Sequence, residues 1–295
     1  MRLPTTRVLN EVDFAIVGLP FDTGSSVRVG SRFAPETIRS VSVSLGSYNV
    51  GLNIPIFDIL SGIDYGDVKV VPGFIDDSLK RIDDTLSVIH SANVIPIGIG
   101  GDHSVVLGEL RAAAKMNGPL GLVLFDSHHD CWNSYQGHPY FHSTIFRRAV
   151  EENLIDINHS MMCGLRGSVY SLKSWNYASE IGFNLIPTAE IRQIGIEETC
   201  TRILNKVAGK SVFLSFDMDF IDPSFAPGVG TPEIGGFSTW ETLELIRGLR
   251  GLNIRAADLV EVNPSYDSSQ ITSITAANII FEILSLLAWY KSIRC

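Results

Sequence analysis

The sequence predicts an α/β fold built on a mostly parallel sheet, and three observations carry that reading. Short apolar runs such as Leu120–Leu124 and Val94–Ile99 lack polar alternation, as strands buried on both faces do. Helical patterns are interspersed with them; the clearest runs from about Ile75 to Ala92, with Leu79, Ile82, Leu86 and Ile89 forming one apolar stripe. Several runs then end in glycine turns or in Asp and His clusters, and open α/β sheets gather ligands at the carboxyl ends of their strands.

In chain order, Val12–Pro20 reads as the first strand. The turn-forming stretch Phe21–Ser31 leaves its carboxyl end and belongs near a pocket mouth. Arg28, within it, is expected to anchor the loop through a salt bridge, with contact to substrate or a neighbouring subunit as the other reading. A helix begins at Ala34–Arg39, where Pro35 suits a first turn. Ile54–Leu60 and Asp64–Val68 read as a strand and a turn. His90, on the helix that follows, is expected to be a satisfied surface or core histidine. Val94–Ile99, Leu120–Leu124, Ser211–Leu214 and Ile254–Val260 read as strands, and Ser160–Ser168 as a strand passing into a pocket-lining loop. Ile271–Tyr290 is about long enough to span a bilayer, but Glu282 and several hydroxyl and amide side chains interrupt it, so a buried closing helix is expected.

No linker, charge run or repeat divides the chain, so residues 1–295 are expected to form one domain. A net charge of −9 without a basic stripe argues against a nucleic-acid partner. Cys131, Cys163, Cys200 and Cys295 are scattered, which suits free thiols in a reduced cytosol. Met1-Arg2-Leu3-Pro4 lacks the apolar core of a signal peptide, so a cytoplasmic location is expected.

The chemistry concentrates in three places. Asp126, His128 and Asp130 alternate after the run Leu120–Leu124, and in an extended backbone their side chains point the same way. Asp217 and Asp219 repeat the device after Ser211–Leu214, and a glycine turn after Val94–Ile99 presents His103. Four carboxylates carry about four negative charges at neutral pH, which two divalent cations neutralise and one does not. Carboxylate oxygens with a minority of imidazoles favour manganese over zinc. The pattern therefore points to a two-metal hydrolytic site that holds and acidifies a water. On an extended chain His129 and Cys131 alternate away from the ligands; His129 reads as supporting or rim, and Cys131 as packing.

Gly100-Gly101-Asp102-His103-Ser104, Asp126-x-His128-x-Asp130 and Ser215-Phe216-Asp217-Met218-Asp219, continued by Phe220–Glu233, resemble in residues and order the signature motifs of the ureohydrolases, the arginase/agmatinase family. The similarity runs from about Gly18 to the last helix. It implies a three-layer α/β/α fold, a binuclear manganese centre (nickel as the alternative) and a homo-trimer or homo-hexamer. By resemblance His103, Asp126, Asp130 and Asp217 hold one ion, and Asp126, His128, Asp217 and Asp219 the other. Glu261 matches the acid that holds the substrate guanidinium, as a carboxylate can do in a bidentate fork. His142 matches a histidine assigned to proton transfer, with His138 and His129 as competitors. Protonation of the departing amine falls to Asp219 or His142, since imidazole titrates near neutrality.

Substrate is expected to be a small cationic guanidino compound that contacts Glu261, His142, Ser143 and Trp132. Trp132 stands where arginases carry an asparagine that reads the α-amino acid group, so the chain resembles agmatinases and other guanidinoalkyl hydrolases instead. Agmatine, giving putrescine and urea, is the expected substrate. Guanidinobutyrate, guanidinopropionate, proclavaminate-type guanidines and free guanidine are the alternatives, the last suited to a pocket narrowed by Ser143 where relatives have glycine. A metal-dependent deacetylase and a non-catalytic binding protein are the readings from other classes.

Overall fold

The computed structural model describes residues 2–294. Eight strands form its sheet, in the order β4-β1-β5-β10-β9-β6-β7-β8, each parallel to its neighbours. These are β1 (Phe14–Gly18), β4 (Gly62–Asp67), β5 (Ile95–Ile99), β6 (Gly121–Phe125), β7 (Met161–Cys163), β8 (Asn184–Ile186), β9 (Val212–Asp217) and β10 (Ile254–Val260). A two-stranded antiparallel pair, β2 (Tyr48–Asn49) and β3 (Ile54–Pro55), stands apart.

Strand residues alternate between two cores, as a pleated sheet covered on both faces requires. Phe14, Ile16, Val123, Phe125, Val212, Leu214 and Phe216 enter one core, which also holds Ile38, Leu245 and most of the last helix. Ala15, Val17, Leu122, Leu124 and Phe213 enter the other, with Leu79, Ile82, Leu86, Leu107 and Leu110 from the helices Ile75–Ser91 and Val106–Asn117. The architecture is the predicted three-layer α/β/α sandwich.

One segment differs from its prediction. Ile54–Leu60 is a two-residue strand followed by a helical turn, Ile56–Ile59, and the sheet strand is β4, which overlaps the Asp64–Val68 stretch that reads as a turn. Pro55 cannot donate to a ladder, which ends that strand early. β4 hides its strand character because it lies at the sheet edge, with Asp64 and Asp67 held by Arg39 at 2.5–2.9 Å.

The last helix runs Ile271–Ser292, and 78% of its most apolar window is buried against the protein. Its one acid, Glu282, is met by Arg247 Nη2 at 2.6 Å and Asn49 Nδ2 at 2.9 Å. His90 departs from expectation: it is buried, its Nε2 has no hydrogen-bond partner, and burial, with the Arg255 charge adding, lowers its pKa to about 4. Cys131, Cys163 and Cys200 are buried free thiols; Cys295 lies outside the described residues.

The strand order places the site. β5, β10, β9 and β6 are adjacent at the centre, and from their carboxyl ends the chain delivers His103, Glu261, Asp217 with Asp219, and Asp126 with His128 and Asp130. Chain segments diverge from these strands toward both sheet edges, which opens a crevice there.

Candidate active site and metal centre

His103 leaves β5 through Gly100 and Gly101, both at φ 83°. A side chain at Gly101 would meet the Leu19 carbonyl oxygen, so the turn requires glycine on two counts. The imidazole that this turn delivers is fully buried, with Nδ1 3.1 Å from Asp126 Oδ2, 3.1 Å from Asp130 Oδ2 and 3.2 Å from Asp217 Oδ2. Its Nε2 lies 3.1 Å from Ser215 Oγ. A second cluster adjoins the first: His128 Nδ1 is 3.0 Å from Asp219 Oδ2 and 3.7 Å from Asp126 Oδ1. Asp126 thus turns one oxygen to each cluster.

The convergence has a different origin from the extended alternation expected. β6 stops at Phe125 and Asp130 sits at φ 46°, while β9 stops at Asp217 and Asp219 lies on a single 3-10 turn, Met218–Phe220. Local bonds hold both bends. His128 N donates to Asp126 Oδ1 at 2.6 Å, and Asp219 N donates to Asp217 Oδ1 at 2.8 Å. Ser127 crosslinks them, giving Asp219 Oδ1 its backbone N–H at 3.0 Å and its hydroxyl at 2.7 Å.

The donor set fits two cations. His103 Nδ1 and Asp126 Oδ2 are buried without a directional hydrogen bond. Burial and the neighbouring carboxylates Asp219 and Asp130 push Asp126 up to about 8, and burial with Asp219 and Asp126 pushes Asp217 well above the carboxylate range. Burial opposes the charged form of Asp219 too, but His128 and Ser127 outweigh it and hold its pKa low. Burial likewise disfavours imidazolium at His103, yet three carboxylates hold its pKa well above the ordinary value. The cluster draws in positive charge from its own histidines, which is the behaviour of a site built for cations. His103, Asp126 and Asp217 form one ligand-like group; Asp126, His128 and Asp219 form the other.

A pocket of about 500 Å³ opens above the clusters. His128, Asp130 and Asp217 are at its floor, and His142, Ser143, Trp132, Tyr170 and Trp175 are among its walls. Glu261 is not among the described lining residues. Its carboxylate lies behind His142: Oε1 accepts from His103 N at 2.9 Å and is 3.3 Å from His142 Nδ1. Glu261 also holds φ 62°, a costly conformation for a residue with a side chain. Burial lowers the pKa of His142, but Glu261 more than offsets it and the net shift is upward.

The other singled-out residues fall as follows. His129 is buried with both ring nitrogens engaged, Nε2 with Ser174 O at 2.8 Å and Nδ1 with Cys131 N at 3.0 Å. His138 is exposed. Ser143 Oγ is buried and unpartnered at the pocket wall. Arg28 makes no salt bridge among the described residues; its guanidinium lies 4.6 Å from the centre of the Tyr266 ring, and it lines the pocket.

Sequence reading missed four contributors. Ser26 Oγ lies 3.0 Å from His142 Nε2, and Asp102 ties the Phe21–Ser31 loop to the His103 turn through Gly24 N at 2.7 Å and Ser104 N at 3.0 Å. Ser127 and Ser215 hold ligands as described above. Asp102, Ser127 and Ser215 were flagged only by their position inside the motifs; nothing local marks Ser26.

A domain model of the arginase family matches residues 12–285. The chain belongs to the arginase family, and it is an amidinohydrolase that acts on a guanidino compound at a binuclear metal site. It is 39% identical to a mitochondrial agmatinase of Gallus gallus, covering 99% of this chain and 86% of that one. It is 40% identical to a guanidinobutyrase of Pseudomonas aeruginosa over 97% of this chain and 91% of that one. The solved proclavaminate amidinohydrolase from Streptomyces clavuligerus superposes with a TM-score of 0.94 at 36% identity, covering 98% and 96% of the two chains.

Proposed function

We propose that the protein hydrolyses agmatine to putrescine and urea with two Mn²⁺ ions in the paired clusters. The observation that carries the choice of substrate is the pocket wall. Trp132 packs at 5.4 Å on Tyr170 and 6.3 Å on Tyr135, and with Trp175 these rings form a surface suited to a cationic chain. Glu233 puts a carboxylate beside it, 4.0 Å from His128 Nε2, for a terminal ammonium. At about 500 Å³ the pocket accepts a butyl chain and is far larger than free guanidine needs.

Bound ions neutralise the carboxylates and acidify a water nucleophile. The chain's own residues do the rest. The rings and Glu233 orient the substrate so that its guanidinium meets the cluster floor. His142, whose pKa Glu261 raises and whose Nε2 lies 3.0 Å from Ser26 Oγ, gives its proton to the departing amine. Glu261 fixes that imidazole from behind, its Oε1 3.3 Å from His142 Nδ1.

Arg28 favours a second reading. A pocket-lining guanidinium without an acidic partner among the described residues suits a carboxylate-terminated guanidino acid. Urea release from agmatine, guanidinobutyrate, guanidinopropionate and guanidine, with Mn²⁺ and with Ni²⁺, separates the two. Agmatine-dominant turnover with Mn²⁺ is expected; turnover dominated by an acid assigns Arg28 the anchoring role. A homo-trimer or homo-hexamer in the cytosol belongs to the same proposal, and light scattering of the purified protein tests the assembly.

A further inference from the structure

The loop that follows β7 carries a clamp at the pocket wall. Arg166 lines the pocket, and every hydrogen bond its guanidinium makes ends on a backbone carbonyl. Nη2 donates to Asp219 O at 2.6 Å and to Glu233 O at 2.8 Å. Nε donates to Ile234 O and Nη1 to Gly164 O, each at 3.3 Å. A planar fork reaches such spread acceptors at fixed spacing; a point-like ammonium does not. Arg166 is itself tied down, its backbone N–H donating to Ser127 O at 3.0 Å in the metal motif. A side chain at Gly236 would strike Arg166 Nη2, so the facing segment leaves room for the guanidinium.

The two residues it holds depend on it unequally. Asp219 has other anchors: Ser127 donates twice to its carboxylate, and its own N–H donates to Asp217 Oδ1. Glu233 has none. Among the described residues no other hydrogen bond reaches 232–234, and the Glu233 carboxylate accepts no hydrogen bond. Gly167 completes the seat. It holds φ 84°, and a side chain there would fall on the Glu233 carboxyl carbon and both its oxygens. The carboxylate thus lies against bare backbone, and its main chain is joined by one guanidinium to the main chain of Asp219. Arg166 thereby sets how far the acid at the pocket wall stands from the metal clusters.

We propose that Arg166 is a positioning residue for substrate selection: with Gly167 it seats Glu233 at a set distance from Asp219, so that a guanidino compound ending in an ammonium is taken over one ending in a methyl group. The inference rests on the agmatine reading, and its test separates the two. Urea release is measured from agmatine and from n-butylguanidine, which lacks the ammonium. The proteins are the manganese-loaded parent, Arg166→Gln, Glu233→Gln and the double variant, with bound metal counted and folding checked by thermal melts. The parent is expected to show a lower KM for agmatine than for butylguanidine, and Glu233→Gln to lose that preference. Arg166→Gln is expected to raise the agmatine KM about 10- to 100-fold, the worth of a hydrogen bond to a charged group, with kcat, bound metal and the butylguanidine KM within about threefold of the parent. In the double variant the agmatine KM should lie within about twofold of Glu233→Gln alone, because the two residues act as one unit. A merely structural role would harm both substrates alike. Arg166→Lys, which keeps the charge but not the fork, is expected to fall between Arg166→Gln and the parent. Should Arg166→Gln fail to fold, Gly167→Ala carries the same expectations, its Cβ displacing the Glu233 carboxylate. No agmatine preference in the parent, or an unchanged agmatine KM in Glu233→Gln, overturns the agmatine reading and this inference with it. An agmatine KM raised by Glu233→Gln but not by Arg166→Gln, a further rise in the double variant, or metal lost with Arg166 overturns the inference alone.

Discussion

Two clusters of buried charge in this protein have opposite character. Under the last helix, Glu282 is 3% exposed and fully answered by its own chain: Arg247 Nη2 at 2.6 Å, Arg247 Nε at 3.1 Å and Asn49 Nδ2 at 2.9 Å. At the carboxyl ends of β6 and β9, four aspartates crowd two imidazoles and leave His103 Nδ1 and Asp126 Oδ2 without a directional hydrogen bond. Burial of charge therefore does not by itself mark function. An unmet charge, held rigidly in a cleft, does.

Paired substitutions test that contrast most severely. Asp217→Ala is expected to lower kcat/KM about a thousandfold, because a bound ion supplies several kcal/mol of charge stabilisation at about 1.4 kcal/mol per tenfold. Metal analysis should show loss of bound manganese at the same time. The same variant, stripped of metal, should melt no lower than the stripped parent, since ionisation of Asp217 is opposed by burial, Asp219 and Asp126. Glu282→Ala should do the reverse. It leaves Arg247 and Asn49 without their acceptor and should cost about 3 kcal/mol of unfolding free energy with metal content unchanged. Full manganese content in Asp217→Ala removes it from the ligand set; a silent Glu282→Ala removes the contrast.

How far the sequence showed this difference depends on range. The ligands were legible because Asp126, His128 and Asp130, and again Asp217 and Asp219, stand within a few residues at the ends of apolar runs. Their geometry was not: the φ of 46° at Asp130 and the 3-10 turn at Met218–Phe220 leave no periodicity to read, and Ser127 joins the two bends across 92 residues by its bond to Asp219. The matched cluster was invisible for the same reason, as Glu282 and Asn49 are 233 residues apart. β4 was misread because an edge strand with two aspartates carries a turn's composition. Periodicity reports burial; it does not report which distant group answers a charge.

His142 sharpens the contrast from the pocket side. His142→Ala is expected to lower kcat about a hundredfold, the lower end for a lost general acid. Burial would depress the His142 pKa, but Glu261 overcomes it, so the imidazolium persists above its ordinary range. Activity that needs this proton is full at lower pH and falls as pH rises through the raised value. Glu261→Gln should move that alkaline limb to lower pH, read from pH profiles of kcat. An unmoved limb would mean that Glu261 does not govern His142.

The smallest effect concerns a buried nitrogen that is unpartnered yet awaits no ion. His90 Nε2 has no hydrogen-bond partner, and burial, then the Arg255 charge, brings its pKa to about 4. Above pH 6.5 the imidazole is neutral folded and unfolded, and stability does not depend on it. Between pH 6.5 and 4 the unfolded chain takes up a proton that the folded protein refuses. Stability is therefore lost as pH falls through that window, by about 2 kcal/mol at pH 4.5 after allowance for relaxation of the site. Urea unfolding of metal-free protein at pH 7.5 and 4.5 measures the loss, and His90→Leu should reduce it by about that amount. Added Mn²⁺ at pH 7.5 should leave the His90→Leu difference unchanged, because this nitrogen lies on the helix Ile75–Ser91, outside both ligand groups. Equal acid sensitivity in the two proteins would show that His90 finds a partner.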